Sequence, residues 1–362
     1  ANRTASQLFS IAFLISTVIM ALCLLFCEEI LGGLFGRVEA DVMKAACDYL
    51  FITACSFPFL GIYNSSSALF RSMNRTKIIM YVSFLMNVIN VIGNAIGIFV
   101  FHAGVVGVAV PTLFSRAVAA VIMLCLSMQT KYEICITWKK LISWNQGAAV
   151  KILKIAVPNG IENGLFALGR VLVTSIVALF GTTQIAANGV AGSVDQIASI
   201  ATNAMNLAII PVVGQCIGAG EYDQASYYTK KLMRITYVLI GGMGGLVIVT
   251  LPFILGFFEL SAGTYRISVL LIILHNTMAF LLHPTSFVLS NSLRAAGDVK
   301  ITMYIGIGSM VVFRLGSAVL FGIVFGMGVV GVWMAMGMDW LARSIAFSIR
   351  FRSGKWRNVN VI

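Results

Sequence analysis

The sequence predicts an all-α polytopic membrane protein, on the strength of its composition, the length of its apolar runs and the placement of its charge. Hydrophobic residues make up 59% of the 362 and charged residues 10%, with a mean hydropathy of +0.95. A soluble globular chain is near half apolar and about a quarter charged. Runs such as 235–258 and 301–330 are long enough for helices to cross a bilayer, whereas a barrel would show short alternating segments.

At about 20 residues per span, the apolar runs give about ten helices. They lie near residues 5–27, 43–69, 77–101, 104–128, 155–180, 184–216, 230–256, 264–292, 299–324 and 327–350. The basic residues sort between alternate connections. One side holds Arg3, Arg71, Arg75, Lys77, Lys131, Lys139, Lys140, Lys151, Lys154, Lys230, Lys231, Arg234, Arg294, Lys300, Arg350, Arg352, Lys355 and Arg357. The opposite side holds Arg37, Lys44 and Arg266. The positive-inside rule makes the first side cytoplasmic, with both ends of the chain there. The formal charge of +12 therefore reads as topology, and no nucleic-acid partner is expected.

Three regions follow: a bundle over 1–128, an interface linker over 129–154 that carries Trp138 and Trp144 among lysines, and a larger bundle over 155–362. The seven cysteines form no CxxC pair and read as buried free thiols. No cofactor motif is visible. No HExxH and no nucleophile motif appears, so a membrane-embedded enzyme is not expected.

An internal repeat links the two bundles. "LFRSMNRTKIIMYV" at 69–82 and "SLRAAGDVKITMYI" at 292–305 share five of fourteen positions at an offset of 223 residues, and "GVVGV" recurs at 104–108 and 328–332. Parallel repeats are a common transporter architecture. At this offset residues 148–224 have no counterpart before Ala1, so a parent chain of about twelve helices is expected, with 4 + 6 here and 6 + 6 in full. "VVGQCIGAGEYDQA" at 212–225 lacks the Lys-Ser or Lys-Thr of a phosphate loop. Gly214 and Gly218 are expected to allow close helix packing, and Gly220 to cap the helix.

"GQCIGAGEYDQA", with "LRAAGDVK" (293–300), "PNGIENGLF" (158–166) and "GVVGVWMAM" (328–336), resembles the multidrug and toxic-compound extrusion (MATE) family. The likeness is to the bacterial branch related to the DNA-damage-inducible F type, lacking the first two helices. The resemblance implies two six-helix bundles forming a V in the cytoplasmic (inner) membrane of a bacterium. These alternate between outward and inward states as a monomeric antiporter, expelling amphiphilic organic cations in exchange for Na⁺ or H⁺.

Ionisable groups inside spans each cost about 2.5–3.5 kcal/mol at a helix centre and so point to pairing or function. The acids are Asp48, Glu162, Asp195 and Asp339, and the bases Arg116, Arg170, Arg314 and Arg343. Asp339 and Arg343, four apart, read as a structural ion pair. Glu162 has no basic residue at helical spacing and has Asn159 and Asn163 as oxygen donors, so it is the first candidate for ion or proton coupling, by a proton or by Na⁺. Asp195, with Ser193 and Ser199 nearby, is the second. Asn64, Asn90, Asn94, Asn159 and Arg314 are candidates for the substrate cavity. The resemblance matches Asn90 and Asn94 to an Asn and an Asp of the family's fifth helix, where an amide cannot titrate. His275 and His283 read as hydrogen-bonded core residues. Two other readings remain open: a flippase of lipid-linked oligosaccharide from the same superfamily, for which Arg116, Arg170 and Arg314 would face a pyrophosphate, and an inactive fragment.

Overall fold

The computed structural model describes residues 2–35, 40–137 and 145–359. Among the described residues the regular structure is all helical. The chain divides into two compact units, Ala1–Leu153 and Lys154–Ile362. Arg37 and the linker residues Trp138, Lys139, Lys140 and Trp144 lie outside the described residues.

The first unit contains α1 (Asn2–Leu25), α2 (Cys27–Phe35), α3 (Ala40–Cys55), α4 (Phe57–Ser72), α5 (Thr76–Ala95), a π-helical extension (Ile96–Val100) and α6 (Val106–Ser127). The span expected at 43–69 is a pair of helices meeting at 43°. The break falls at Ser56, followed by Pro58 in the first turn of α4, where a missing N–H costs nothing. The Ser56 hydroxyl donates to the Thr53 carbonyl at 2.6 Å and accepts from Arg116 Nη1 at 2.6 Å, so the break is where this in-span arginine finds its partner. Phe70, Val82, Ala119 and Met123 form a core, with Tyr132 edge-on to Phe70 at 5.2 Å. The π-helical extension and α6 touch through Gly97 and Gly107, where a Cβ on Gly107 would lie 2.7 Å from the Gly97 carbonyl oxygen. Only glycine permits that approach.

The second unit contains most of α7 (Gln146–Ala178), then α8 (Thr182–Ala198), α9 (Ile200–Gly218), α10 (Tyr222–Gly256) and α11 (Ala262–His283). A π turn (Pro284–Val288) leads into α12 (Leu289–Ala295). Next come α13 (Val299–Ser309), π segments at Met310–Gly316 and Ala318–Val324, α14 (Gly328–Arg352) and a 3₁₀ turn (Lys355–Asn358). Its main core packs Val247, Leu251, Leu255, Leu271 and Ile272 against small residues of α8, Ala187 and Ala191. A second core, at the end rich in basic residues, joins Ile209, Val213, Leu293, Phe347 and Trp356. Outward faces carry exposed Phe99, Val238, Val249 and Phe253, a surface suited to hydrocarbon.

Among the described residues eight helices are long and apolar enough to cross a membrane, or nine with the bent α3–α4 pair. α14 is not among them, because buried Asp339 and Arg343 interrupt its apolar run. The span expected at 184–216 is two helices that part at Ser199. α7 starts at Gln146 rather than 155, and α10 at Tyr222 rather than 230. Hydropathy is blind to helical turns that continue beyond the hydrocarbon. The cysteines are half-buried, with Cys125 exposed, so the expectation of buried thiols is corrected: several sit on helix faces turned outward.

The glycine stretch is a helix terminator. Gly220 has φ +78°, the Glu221 N–H donates to the Cys216 carbonyl, and the Gly220 N–H donates to the Ile217 carbonyl. This is the Schellman arrangement, with a left-handed residue just past the helix. Gly214 and Gly218 have open space where a side chain would stand, which corrects the expectation that they serve close packing. The same cap ends the two copies of the repeat. Arg75 N–H bonds to Phe70 and Asn74 N–H to Arg71, while Asp298 N–H bonds to Leu293 and Gly297 N–H to Arg294. The left-handed residues are Asn74 (φ 57°) and Gly297 (φ 89°), at matching positions.

Candidate transport site

Within the second unit, α7, α8, α11, α12, α14 and the π segment at Met310–Gly316 bring ionisable side chains together. Glu162, a turn beyond Pro158 in α7, is buried. Its Oε1 accepts from Arg294 Nη2, joining α7 to the end of α12. The carboxylate fits because α13 has Gly306 there, where a Cβ would collide with Oε1. Its other oxygen, Oε2, is buried without a hydrogen-bond partner. Arg294 is oriented by Asn291, to whose Oδ1 it donates at 3.0 Å.

A second cluster centres on Asp339. Arg343 Nε lies 2.9 Å from Asp339 Oδ1 and donates to Ser309 Oγ at 2.8 Å. The Arg343 guanidinium sits 4.0 Å from the Phe166 ring centroid and 5.6 Å from that of Phe287, a cation–π arrangement suited to a desolvated cation. Arg314 approaches the same carboxylate from the π segment after α13, at 3.8 Å from Oδ2. That is an ion-pair distance, too long for a hydrogen bond.

The third group is Asp195 on α8. Its Oδ1 accepts from Ser199 at 3.1 Å and lies 2.8 Å from His275 Nδ1 on α11. The ring N–H is not aligned for a good hydrogen bond, so the contact is electrostatic and depends on the protonation of the ring. His275 packs against Trp333 and Trp340, with centroids at 5.6 and 5.3 Å. Trp333 is fixed by a 2.9 Å bond from its Nε1 to Asn188 Oδ1. Beside this group is a cavity of about 240 Å³ whose lining includes Arg170, Asn188, Asp195, Arg314, Trp333 and Met336.

The other site residues named from the sequence are placed differently. Asn163 is exposed and donates to the Asn159 carbonyl at 2.9 Å, and neither amide reaches Glu162. Asn64, Asn90 and Asn94 belong to the first unit. Asn64 is exposed, Asn90 donates to Thr112 Oγ1 at 3.0 Å, tying α5 to α6, and the side-chain amides of Asn90 and Asn94 meet at 3.2 Å. Among the described residues no group of three or more His, Cys, Asp or Glu gathers as a metal site. Sequence reasoning placed Arg294 at the membrane surface, read His275 as a core residue and missed Gly306. The internal repeat aligns Arg71 with Arg294, and that was the available signal for Arg294.

Fold and site define a multi-pass helical membrane protein of the transporter class, with paired charges inside its helices. The chain belongs to the MatE family, whose model matches residues 1–96 and 158–320 and whose members are transporters, not enzymes. An uncharacterized transporter, YisQ of Bacillus subtilis (strain 168), is 29% identical over 300 residues, covering 80% of this chain. This chain spans 64% of the length of that relative. A probable multidrug resistance protein, NorM of Thermotoga maritima, is 24% identical over 339 residues, covering 92% of this chain and 72% of its own. Among solved structures, the outward-facing conformation of a multidrug resistance MATE family transporter of the MOP superfamily matches with a TM-score of 0.89 at 16% identity, covering 99% of this chain and 80% of that one. A MOP superfamily transporter from Pyrococcus furiosus, described as having a binding pocket of reverse polarity, matches at 0.88 with 17% identity, covering 98% and 79%. At these identities the structural likeness is one of fold.

Proposed function

We propose that this chain serves ion-coupled export of amphiphilic organic compounds by alternating access, as a monomer in the cytoplasmic membrane of a bacterium with both chain ends on the cytoplasmic side. The carrying observation is Glu162: a buried carboxylate with one oxygen paired to Arg294 and the other without a partner. Such a group has two ways to balance its charge. Either Arg294 holds it, or a proton or Na⁺ takes the vacant oxygen and releases Arg294. Because Arg294 ends α12 while Glu162 is on α7, exchanging one partner for the other alters a contact between helices, which is what coupling requires. Asp195 and His275 are the second group that a proton can switch.

Names of relatives supply the cargo class: several are called probable multidrug resistance proteins, consistent with the organic cations that the family resemblance implies. The test is Glu162→Gln in purified protein reconstituted in vesicles. Ethidium efflux driven by an imposed Na⁺ or pH gradient is expected to be abolished, while gradient-free exchange of ethidium across the same vesicles persists. Undiminished gradient-driven efflux rejects Glu162 as the coupling group. A second reading, the flippase of lipid-linked oligosaccharide, is favoured by Arg170 and Arg314 lining one cavity, and transbilayer movement of such a lipid in the same vesicles distinguishes it.

A further inference from the structure

The polarity of the cavity beside Asp195 points to a cargo chemistry that the family resemblance does not supply. Among the in-span charges of the second unit, the arginines Arg170, Arg294, Arg314 and Arg343 outnumber the carboxylates Glu162, Asp195 and Asp339, Arg170 being the one that is exposed. The pairing is uneven as well. Glu162 is taken by Arg294, and the short contact of Asp339 is to Arg343. Arg314 is left with a 3.8 Å contact to the far oxygen of Asp339, and its Nε is buried without a partner. Arg170 has no carboxylate within ion-pair distance among the described residues. Neither arginine reaches Asp195, although all three line the same 240 Å³ space. Arg314, with its Nε buried and its one ion-pair contact long, thus lines the cavity together with the exposed Arg170, and an under-compensated cation such as Arg314 in a low-dielectric interior is costly until an anion arrives.

We propose that this cavity is a subsite for an anionic group, a carboxylate, sulfonate or phosphate, on an amphiphilic cargo molecule. The proposal rests on the export reading and adds a substrate class to it. Arg170 on α7 and Arg314 on the π segment offer planar donor forks from two elements, the geometry that guanidinium groups use on such oxyanions. The indole of Trp333, held by Asn188, and the thioether of Met336 form an apolar wall for the rest of the molecule. A cavity of about 240 Å³ has room for a single-ring acid. Asp195 at the edge repels the anion, so a cargo carrying an amine as well, a zwitterion, fits the same lining.

Matched bromine-labelled probes test this by tryptophan quenching in the purified protein: 4-bromobenzoate as the anion and 4-bromobenzylamine as the cation. The anion is expected to quench, with Trp333→Phe removing the effect and so assigning it to this cavity. Arg170→Gln, which loses no internal ion pair and so leaves the fold intact, is expected to weaken anion binding about tenfold, the value of one charge-assisted contact. Asp195→Asn is expected to strengthen it. Quenching by the cation alone, or anion binding unchanged in both Arg170→Gln and Arg314→Gln, overturns the anionic assignment while leaving the export reading standing. Silence from both probes removes the cavity as a cargo site and overturns the proposal, while the export reading, which rests on Glu162, is tested separately by gradient-driven efflux.

Discussion

Asp339 and Arg343 invite different penalties when each is removed. Their side chains are 1% and 4% exposed, so neither charge can be screened by water where it stands. Breaking such a buried pair by deleting one partner costs about 3–5 kcal/mol, because the other charge is left uncompensated. Asp339→Ala should fall in that range: among the described residues Asp339 is the one carboxylate within ion-pair distance of both Arg314 and Arg343. Arg343→Met should cost less, about 1.5–3 kcal/mol, the worth of a hydrogen bond to a charged group. In that variant the stranded carboxylate still has Arg314 at 3.8 Å, close enough to move in and replace the lost partner. Both values can be read by titrating the protein in mixed micelles with sodium dodecyl sulfate and following helix content by far-ultraviolet circular dichroism. Equal losses, or a larger loss from Arg343→Met, would refute the claim that one carboxylate serves two arginines.

Two further substitutions probe the backbone features that hold the site and the repeat. Gly306→Ala inserts a methyl group into the space used by Glu162 Oε1, so a destabilisation of about 1–3 kcal/mol is expected from overpacking; the same titration, compared with Gly308→Ala where the space is open, isolates the packing effect. At the repeated helix cap, Asn74→Gly should be neutral or stabilising by up to about 1 kcal/mol and Gly297→Ala destabilising by about 1–2 kcal/mol, since both positions have left-handed backbone that glycine adopts freely. Thermal unfolding of the two variants checks the signs, and matching signs would break the equivalence of the two caps.

The membrane-spanning helical fold was legible because hydrocarbon leaves a long, strong signal in composition. Interruptions within spans were not, since the bend at Ser56 and the break at Ser199 depend on single hydroxyl and proline positions inside runs that stay apolar throughout. The candidate site divides along the same line. An acid and a base four residues apart, such as Asp339 and Arg343, are juxtaposed by helix geometry alone. Glu162 and Arg294 are 132 residues apart, and nothing local connects them. Arg294 also sits at the end of an apolar run, where charge sorting assigns it to the membrane surface although its guanidinium reaches back to a buried carboxylate. His275 escaped for a related reason: in the sequence it reads as a hydrogen-bonded core residue, and it is the fold that brings Asp195 to within 2.8 Å and sets Trp333 and Trp340 against its ring.

What the two copies of the repeat share is mechanical, and what separates them is chemical. The helix caps at Asn74 and Gly297 coincide at the offset of 223. The π-helical turns at Ile96–Val100 and Ala318–Val324 fall at corresponding places. So do the glycine crossings, Gly107 against Gly97 and Gly331 against the backbone of Phe321 and Gly322. A π turn opens the regular hydrogen-bond ladder, and a glycine crossing brings two backbones together without side chains to interlock. Both features give a helix pair a defined place to adjust, so their recurrence marks inherited architecture rather than inherited chemistry. The in-span charges follow no such rule. Among the described residues, every ion pair inside the helices joins residues of Lys154–Ile362, whereas the first unit answers with neutral contacts such as Asn90 to Thr112 and with Arg116 held by a serine hydroxyl. A group can respond to a proton or a cation only if its charge can change or be replaced, and amides and hydroxyls do neither. The repeat therefore supplies two similar frames, and among the described residues the charge pairs inside the helices sit in the second.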